Sequence, residues 1–217
     1  MLTRPDIPER QRPGGLATIA MAIVGMCLIV WPAGCGRAAG VLFDPANTVH
    51  RWPQPPDEPR IEYVGELRTS ADLKPAQGPG KNLGEFLFGK EPPQEMLSPL
   101  GVCTDGNGRV FVADSNGKVI HVFGLESRKY ERWAPPKDKP AFVQPVAAAW
   151  DPGVPGGRLL VCDSGAAAVV VFDGQGRCVA SFGAGVLKRP CGIAIHPTDH
   201  RPVVVDAALH QVVVFTT

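Results

Sequence analysis

The chain has 217 residues, 44% of them apolar, and a formal net charge of +1. That is room for one ordinary domain plus a leader, with enough apolar content for a buried core, which excludes wholesale disorder. Without residues 1–34 the balance is 19 basic against 19 acidic residues, so no cationic surplus exists to neutralise a phosphate backbone, and no nucleic-acid partner is expected. Glycine (25) and proline (23) are both abundant, which suits many short strands joined by tight turns and points to an all-β domain.

Residues 1–34 read as an export leader. Arg4, Arg10 and Arg12 precede a stretch without charge from Leu16 to Gly34, and Cys35 follows at once. Ala33-Gly34-Cys35 resembles the lipobox of bacterial lipoproteins, although Pro32 stands where that family usually has leucine. The resemblance implies lipidation of Cys35, which becomes the mature N-terminus. The 19-residue stretch is also just long enough to span a bilayer as a helix, or to act as an ordinary cleaved signal. All three readings place the rest of the chain outside the cytoplasm, in the bacterial cell envelope, and the first two tether it to the membrane.

Residues 35–59 form a proline-rich tether. Five prolines fall between Asp44 and Arg60, too many for a helix or a central strand, so an extended spacer is expected. Residues 60–97 come next. In Arg60–Leu67, Ile61, Tyr63 and Leu67 share one face, as in an outer strand that closes a ring of sheets. Leu83, Phe86 and Leu87 have the spacing of one helical turn that packs as a cap on the body.

Residues 98–217 carry an internal repeat, seen in residues 99–123, 145–173 and 190–215. Their leading prolines, Pro99, Pro145 and Pro190, are 46 and 45 residues apart. Each unit opens with small apolar residues, turns through a Gly/Pro/Asp loop, and runs through an apolar stretch into Asp114, Asp163 or Asp206. A second apolar stretch then ends in Phe123, Phe172 or Phe215. The apolar runs are nearly continuous, as in small sheets covered on both faces. A fourth strand is expected at Cys178–Phe182, with Lys129–Trp133 as its counterpart in the first unit. Four strands in about 45 residues is the size of a propeller blade.

The pattern of Pro-x-Gly-Val-Cys, Phe-Val-x-Asp-Ser and Val-x-Val-Phe resembles the NHL repeat, and Trp52–Leu67 resembles the stretch preceding the blades of bacterial exported NHL proteins. The resemblance implies a β-propeller, often of six blades in that family. About two and a half to three blades fit between Pro99 and Thr217, so a partial propeller, incomplete at its C-terminal side, is expected.

Asp114, Asp163 and Asp206 suit a structural role, accepting backbone N–H bonds from the following turn. Asn116-Gly117 is a hairpin-turn signal. His121, His196, His200 and His210 fall at different phases of the repeat, so they do not form a ring of metal ligands. Cys103, Cys162, Cys178 and Cys191 show no paired ligand spacing; an oxidising compartment allows one disulfide, and packing as small apolar groups is the simpler role. No metal, cofactor or catalytic residue is expected. Two functions remain: a membrane-tethered module that binds a protein, peptide or glycan, or an exported propeller enzyme of the metal-dependent lyase or lactonase kind with its site in the central channel.

Overall fold

A computed structural model describes residues 38–43, 50–75 and 92–216. Cys35 and the Leu83–Phe86–Leu87 segment lie outside the described residues, as does the leader. Among the described residues no helix is long and apolar enough to cross a membrane.

The body is all-β. The first sheet holds β3 (Pro99–Thr104), β4 (Arg109–Asp114), β5 (Val119–Gly124) and β6 (Tyr130–Trp133) in that order. The second holds β7 (Pro145–Asp151), β8 (Arg158–Asp163), β9 (Ala168–Asp173) and β10 (Cys178–Phe182). In the third, β11 (Pro190–Ile195), β12 (Pro202–Asp206) and β13 (Gln211–Val214) form three strands of the same meander. All neighbours are antiparallel, and β7 lies between β3 and β11. The architecture is a partial β-propeller with first strands innermost.

The register repeats from sheet to sheet. Pro99, Pro145 and Pro190 stand opposite Asp114, Asp163 and Asp206, and each pair is followed by a bulge before Gly101, Ala147 and Gly192. Proline brings no ladder N–H, so the irregularity beside it disrupts little.

Two apolar layers hold the sheets together. Phe111, Ala113, Ile120, Val122 and Trp133 of the first sheet meet Ala148, Leu159, Val161, Val170 and Phe172 of the second. Leu160, Cys162, Val169 and Val171, on the second sheet's other face, meet Val204 with Ile193, Ile195, Val213 and Phe215 of the third. Fully burying one such side chain contributes about 1.5–3 kcal/mol, so the stack rests on these layers more than on its turns.

Two short strands form within the stretch that the sequence reads as a tether followed by an outer strand. Arg51–Trp52 (β1) pairs with Ile61–Glu62 (β2), and the loop between them holds cis peptide bonds at Trp52–Pro53 and Pro55–Pro56. The His50 ring stacks on Trp52 and meets Tyr63 edge-on, so this hairpin has side-chain contacts of its own. Within the expected Arg60–Leu67 strand, Ile61 and Glu62 pair with β1, and the Arg60 and Tyr63 N–H groups donate to Trp52 O and His50 O, so the partner is this hairpin rather than a blade. A 3-10 turn at Ser70–Leu73, capped by Thr69, then buries Leu73 completely and packs on β5.

Candidate functional site

Each recurring aspartate ties two segments to the end of its own sheet. Asp114 accepts N–H bonds from Leu97 (2.6 Å) and Ser98 (3.0 Å), which lead into β3, and from Gly117 (2.7 Å) in the turn after β4. Asp163 does the same with Val143 (2.7 Å), Gln144 (2.8 Å) and Ala166 (3.0 Å). Asp206 takes Lys188 (2.7 Å), Arg189 (3.0 Å), Ala208 (3.0 Å) and Leu209 (3.1 Å). All three carboxylates are buried. Sequence reasoning supplied the turn donors; the leading-segment donors come from 16 to 20 residues upstream and require the fold.

These bonds govern ionisation. Burial raises the Asp114 carboxyl, but the N–H groups of Leu97, Gly117 and Ser98, with the His121 contact, overcome it and hold the group below the ordinary carboxylate range. Asp206 is lowered in the same way: burial opposes, and the N–H groups of Lys188, Arg189, Leu209 and Ala208 prevail.

His121 lies in a buried chain of hydrogen bonds. Its Nε2 is 3.1 Å from Asp114 Oδ2 and its Nδ1 is 2.6 Å from Tyr130 Oη. An ionised carboxylate only accepts, so Nε2 carries the proton and Nδ1 accepts from the tyrosine hydroxyl. Burial holds the imidazole below its ordinary pKa, and the Asp114 contact opposes this without reversing it. Burial likewise raises Tyr130. The triplet resembles a nucleophile–base–acid line in form, but His121 is only 1% exposed, so no substrate reaches it.

The other histidines sit apart. His196 Nδ1 is 2.8 Å from Asp199 Oδ1 within one turn. His200 Nδ1 lies 2.9 Å from Asp151 Oδ1 of the neighbouring sheet, off the line a hydrogen bond needs. His210 is exposed in the turn before β13, at positive φ. Among the described residues no group of three or more His, Cys, Asp or Glu side chains is placed to hold a metal. Cys103, Cys162, Cys178 and Cys191 are all free thiols. Burial, aided by the nearby Asp105, pushes Cys103 up to about 12. Burial, with smaller effects of Cys191 and nearby carboxylates, does the same to Cys162. Both thiols are inert as nucleophiles.

A set of Asp–Arg pairs was not singled out in the sequence. Asp105–Arg109 (2.6 Å), Asp151–Arg158 (2.8 Å) and Asp199–Arg201 (2.6 Å) each lie in the turn after the first strand of a sheet. Turn lengths differ, so the separations of four, seven and two residues conceal the recurrence. The Arg109 guanidinium also lies 4.9 Å from the Trp150 ring centre and donates to Gly174 O at 2.8 Å, joining the first sheet to the second.

Beside Arg109 is a shallow depression of about 600 Å³ at one end of the first sheet, lined by Asp105, Asn107, Gly108, Glu126 and Ser127 among others. Burial raises the Asp105 carboxyl, but bonds from Arg109 and Asn107 outweigh this and keep it low. The lining offers acceptors and amide groups, with no histidine or cysteine to serve as base or nucleophile.

No known family profile matches the chain, and no curated protein matches it. Among solved structures it is similar to Kuenenia stuttgartiensis hydrazine synthase, at 20% identity and a TM-score of 0.41, over 58% of this chain and 38% of that one. It is also similar to virginiamycin B lyase from Staphylococcus aureus, at 13% identity and a TM-score of 0.39, over 55% and 41% of the two chains. The matched portion therefore spans about two fifths of either protein, and neither likeness bears on chemistry.

Proposed function

We propose that the chain is an exported, membrane-tethered NHL-repeat module that binds a protein, peptide or glycan. One observation carries this reading: its recurrent buried polar groups are already engaged in architecture. Asp114, Asp163 and Asp206 bind only backbone N–H groups and, for Asp114, a sealed histidine. Among the described residues the polar depression beside Arg109 is open to a ligand, and it suits recognition through hydrogen bonds. Tethering rests on the leader, whose lipidated form leaves Cys35 as the first residue; several acyl chains are needed, because one gives only marginal anchoring.

Two experiments test the proposal. Mass spectrometry of the mature protein from membranes is expected to find an acylated Cys35 at the N-terminus; an unmodified Cys35 or a different start refutes the lipid tether. Peptide and glycan arrays probed with the full chain, followed by titration of the best ligand, are expected to show binding that a chelator leaves unchanged and that leaves the ligand intact. Stoichiometric bound metal, with ligand turnover abolished by the chelator, refutes the binding reading in favour of a metal-dependent lyase or lactonase.

A further inference from the structure

The turn between β11 and β12 reads His196-Pro197-Thr198-Asp199-His200. Its backbone is closed twice: His196 N–H donates to Arg201 O and His200 N–H donates to His196 O, each at 3.0 Å. The two histidines therefore stand at the two ends of one tight loop. Their spacing of four is the one that, on a helix, lets two imidazoles share a zinc ion, and here the closed turn brings the pair together.

Each imidazole has a carboxylate at Nδ1. Asp199 Oδ1 lies 2.8 Å from His196 Nδ1, and Asp151 Oδ1 of the second sheet lies 2.9 Å from His200 Nδ1. A carboxylate presents only lone pairs, so in the neutral ring the proton sits on Nδ1 and Nε2 keeps its lone pair. Metal-binding histidines share this arrangement: the carboxylate at one nitrogen fixes the tautomer and the ring orientation, and the other nitrogen takes the metal.

The chain makes room for the His200 ring. A Cβ on Gly153 would come within 2.5 Å of His200 Nδ1 and 2.6 Å of its Cδ2. Gly153 has no left-handed φ, so space rather than backbone conformation calls for glycine there. His200 itself adopts φ +57, a region that residues other than glycine seldom enter. Asp151 is fully buried and already accepts from Gly153 N–H and Arg158 Nε, each at 2.8 Å. His200 Nδ1 is buried against it with no hydrogen-bond partner among the described residues, and 35% of the side chain is exposed. The contact joins the second and third sheets inside the arc, away from its flanks. Charge does not oppose a cation, because Asp151 offsets Arg158 and Asp199 offsets Arg201.

We propose that His196 and His200 bind one divalent transition-metal ion, of the zinc, nickel or copper kind, through their Nε2 atoms, with Asp199 and Asp151 orienting the rings. Imidazole suits these metals, whereas magnesium and calcium take oxygen ligands. Two protein ligands leave the remaining positions to water or to an outside donor. Histidines at different phases of the repeat cannot ring a channel, but a pair from one turn needs no ring. The site is independent of the ligand reading above, since the depression beside Arg109 belongs to turns of the first sheet. Zinc bound here without turnover of a ligand leaves that reading intact.

Zinc titration of the full chain in mild detergent, against a chromophoric competitor, tests it. One zinc ion per chain is expected. His196→Ala and His200→Ala are each expected to weaken binding at least about tenfold, and Asp199→Asn about tenfold, with the melting temperature of the metal-free protein unchanged for Asp199→Asn. All three side chains are partly exposed in a turn, and circular dichroism is expected to show the variants folded. His210→Ala, in the following turn, is expected to leave the affinity unchanged. Nitrogen-15 NMR is expected to show zinc on Nε2 of both rings, with Nδ1 still protonated. No binding at millimolar zinc overturns the proposal. So does binding that survives either histidine variant, zinc displaced by equimolar calcium or magnesium, or metal on Nδ1.

Discussion

Replacing Asp163 separates an architectural carboxylate from a surface one. Its Oδ1 accepts from Gln144 and Ala166 and its Oδ2 from Val143, all between 2.7 and 3.0 Å, and the residue is 1% exposed. Asp163→Asn keeps an oxygen for two donors and turns an amide N–H towards the third. One orphaned donor costs about 1–3 kcal/mol, so a loss of about 2 kcal/mol is expected. Asp163→Ala orphans all three. Water reaches part of the exposed turn, so the expected loss is about 4 kcal/mol, below the sum of three full penalties. With a urea m-value of about 2 kcal/mol per molar, the midpoint falls by about 1 M for asparagine and about 2 M for alanine, at constant m. Equilibrium urea denaturation followed by tryptophan fluorescence measures both. A shift below about 0.3 M for the alanine variant, within the extrapolation error of the method, refutes the view that these bonds hold the sheet's ends together.

Stability is expected to fall with pH in two stages. His121 has a lowered pKa in the fold, so its neutral form contributes fully above the unfolded value of about 6.5 and the contribution is lost as pH drops from there towards the folded value. His121→Gln is expected to flatten that stage in urea titrations between pH 7.5 and 5; an unchanged slope contradicts the buried neutral imidazole. Asp114 and Asp206 are also lowered, so their contribution stands above about 3.9 and is lost as pH falls through their folded values, giving a second, acid stage that His121→Gln retains. Gly117→Ala is expected to cost about 2 kcal/mol, because its Cβ would lie 2.8 Å from Asp114 Cγ. Gly106→Ala, with φ +74 and open space around it, is expected to cost about 1 kcal/mol of backbone strain only; equal melting shifts for the two contradict the crowding at Gly117.

The features legible in the sequence are those written along one strand. Leading prolines, terminal aspartates and the closing phenylalanines recur at a near-constant period, and they place β3 to β5 and their counterparts within a residue or two. The weak outer strand at Lys129–Trp133 appears as Tyr130–Trp133. Features that depend on variable loops were not legible. The leading-segment donors to the aspartates lie at separations of 16 and 17, 19 and 20, and 17 and 18 residues, so no fixed spacing marks them. The Tyr130–His121–Asp114 line depends on cross-strand register, in which His121 stands opposite Val112 and Arg132 rather than opposite its hydrogen-bond partners. The hairpin at Arg51–Trp52 and Ile61–Glu62 was concealed by composition: prolines that forbid a central strand are tolerated in the loop between two short ones.

The central claim is that each sheet is closed at its end by one buried carboxylate. Amide hydrogen exchange resolved by residue tests it most directly, at Leu97, Ser98, Gly117, Val143, Gln144 and Ala166. These N–H groups lie outside the strands, yet protection comparable to that of Val161 and Val170 in the core strands is expected. Exchange at the rate of free turn amides, with the strands still protected, would contradict it.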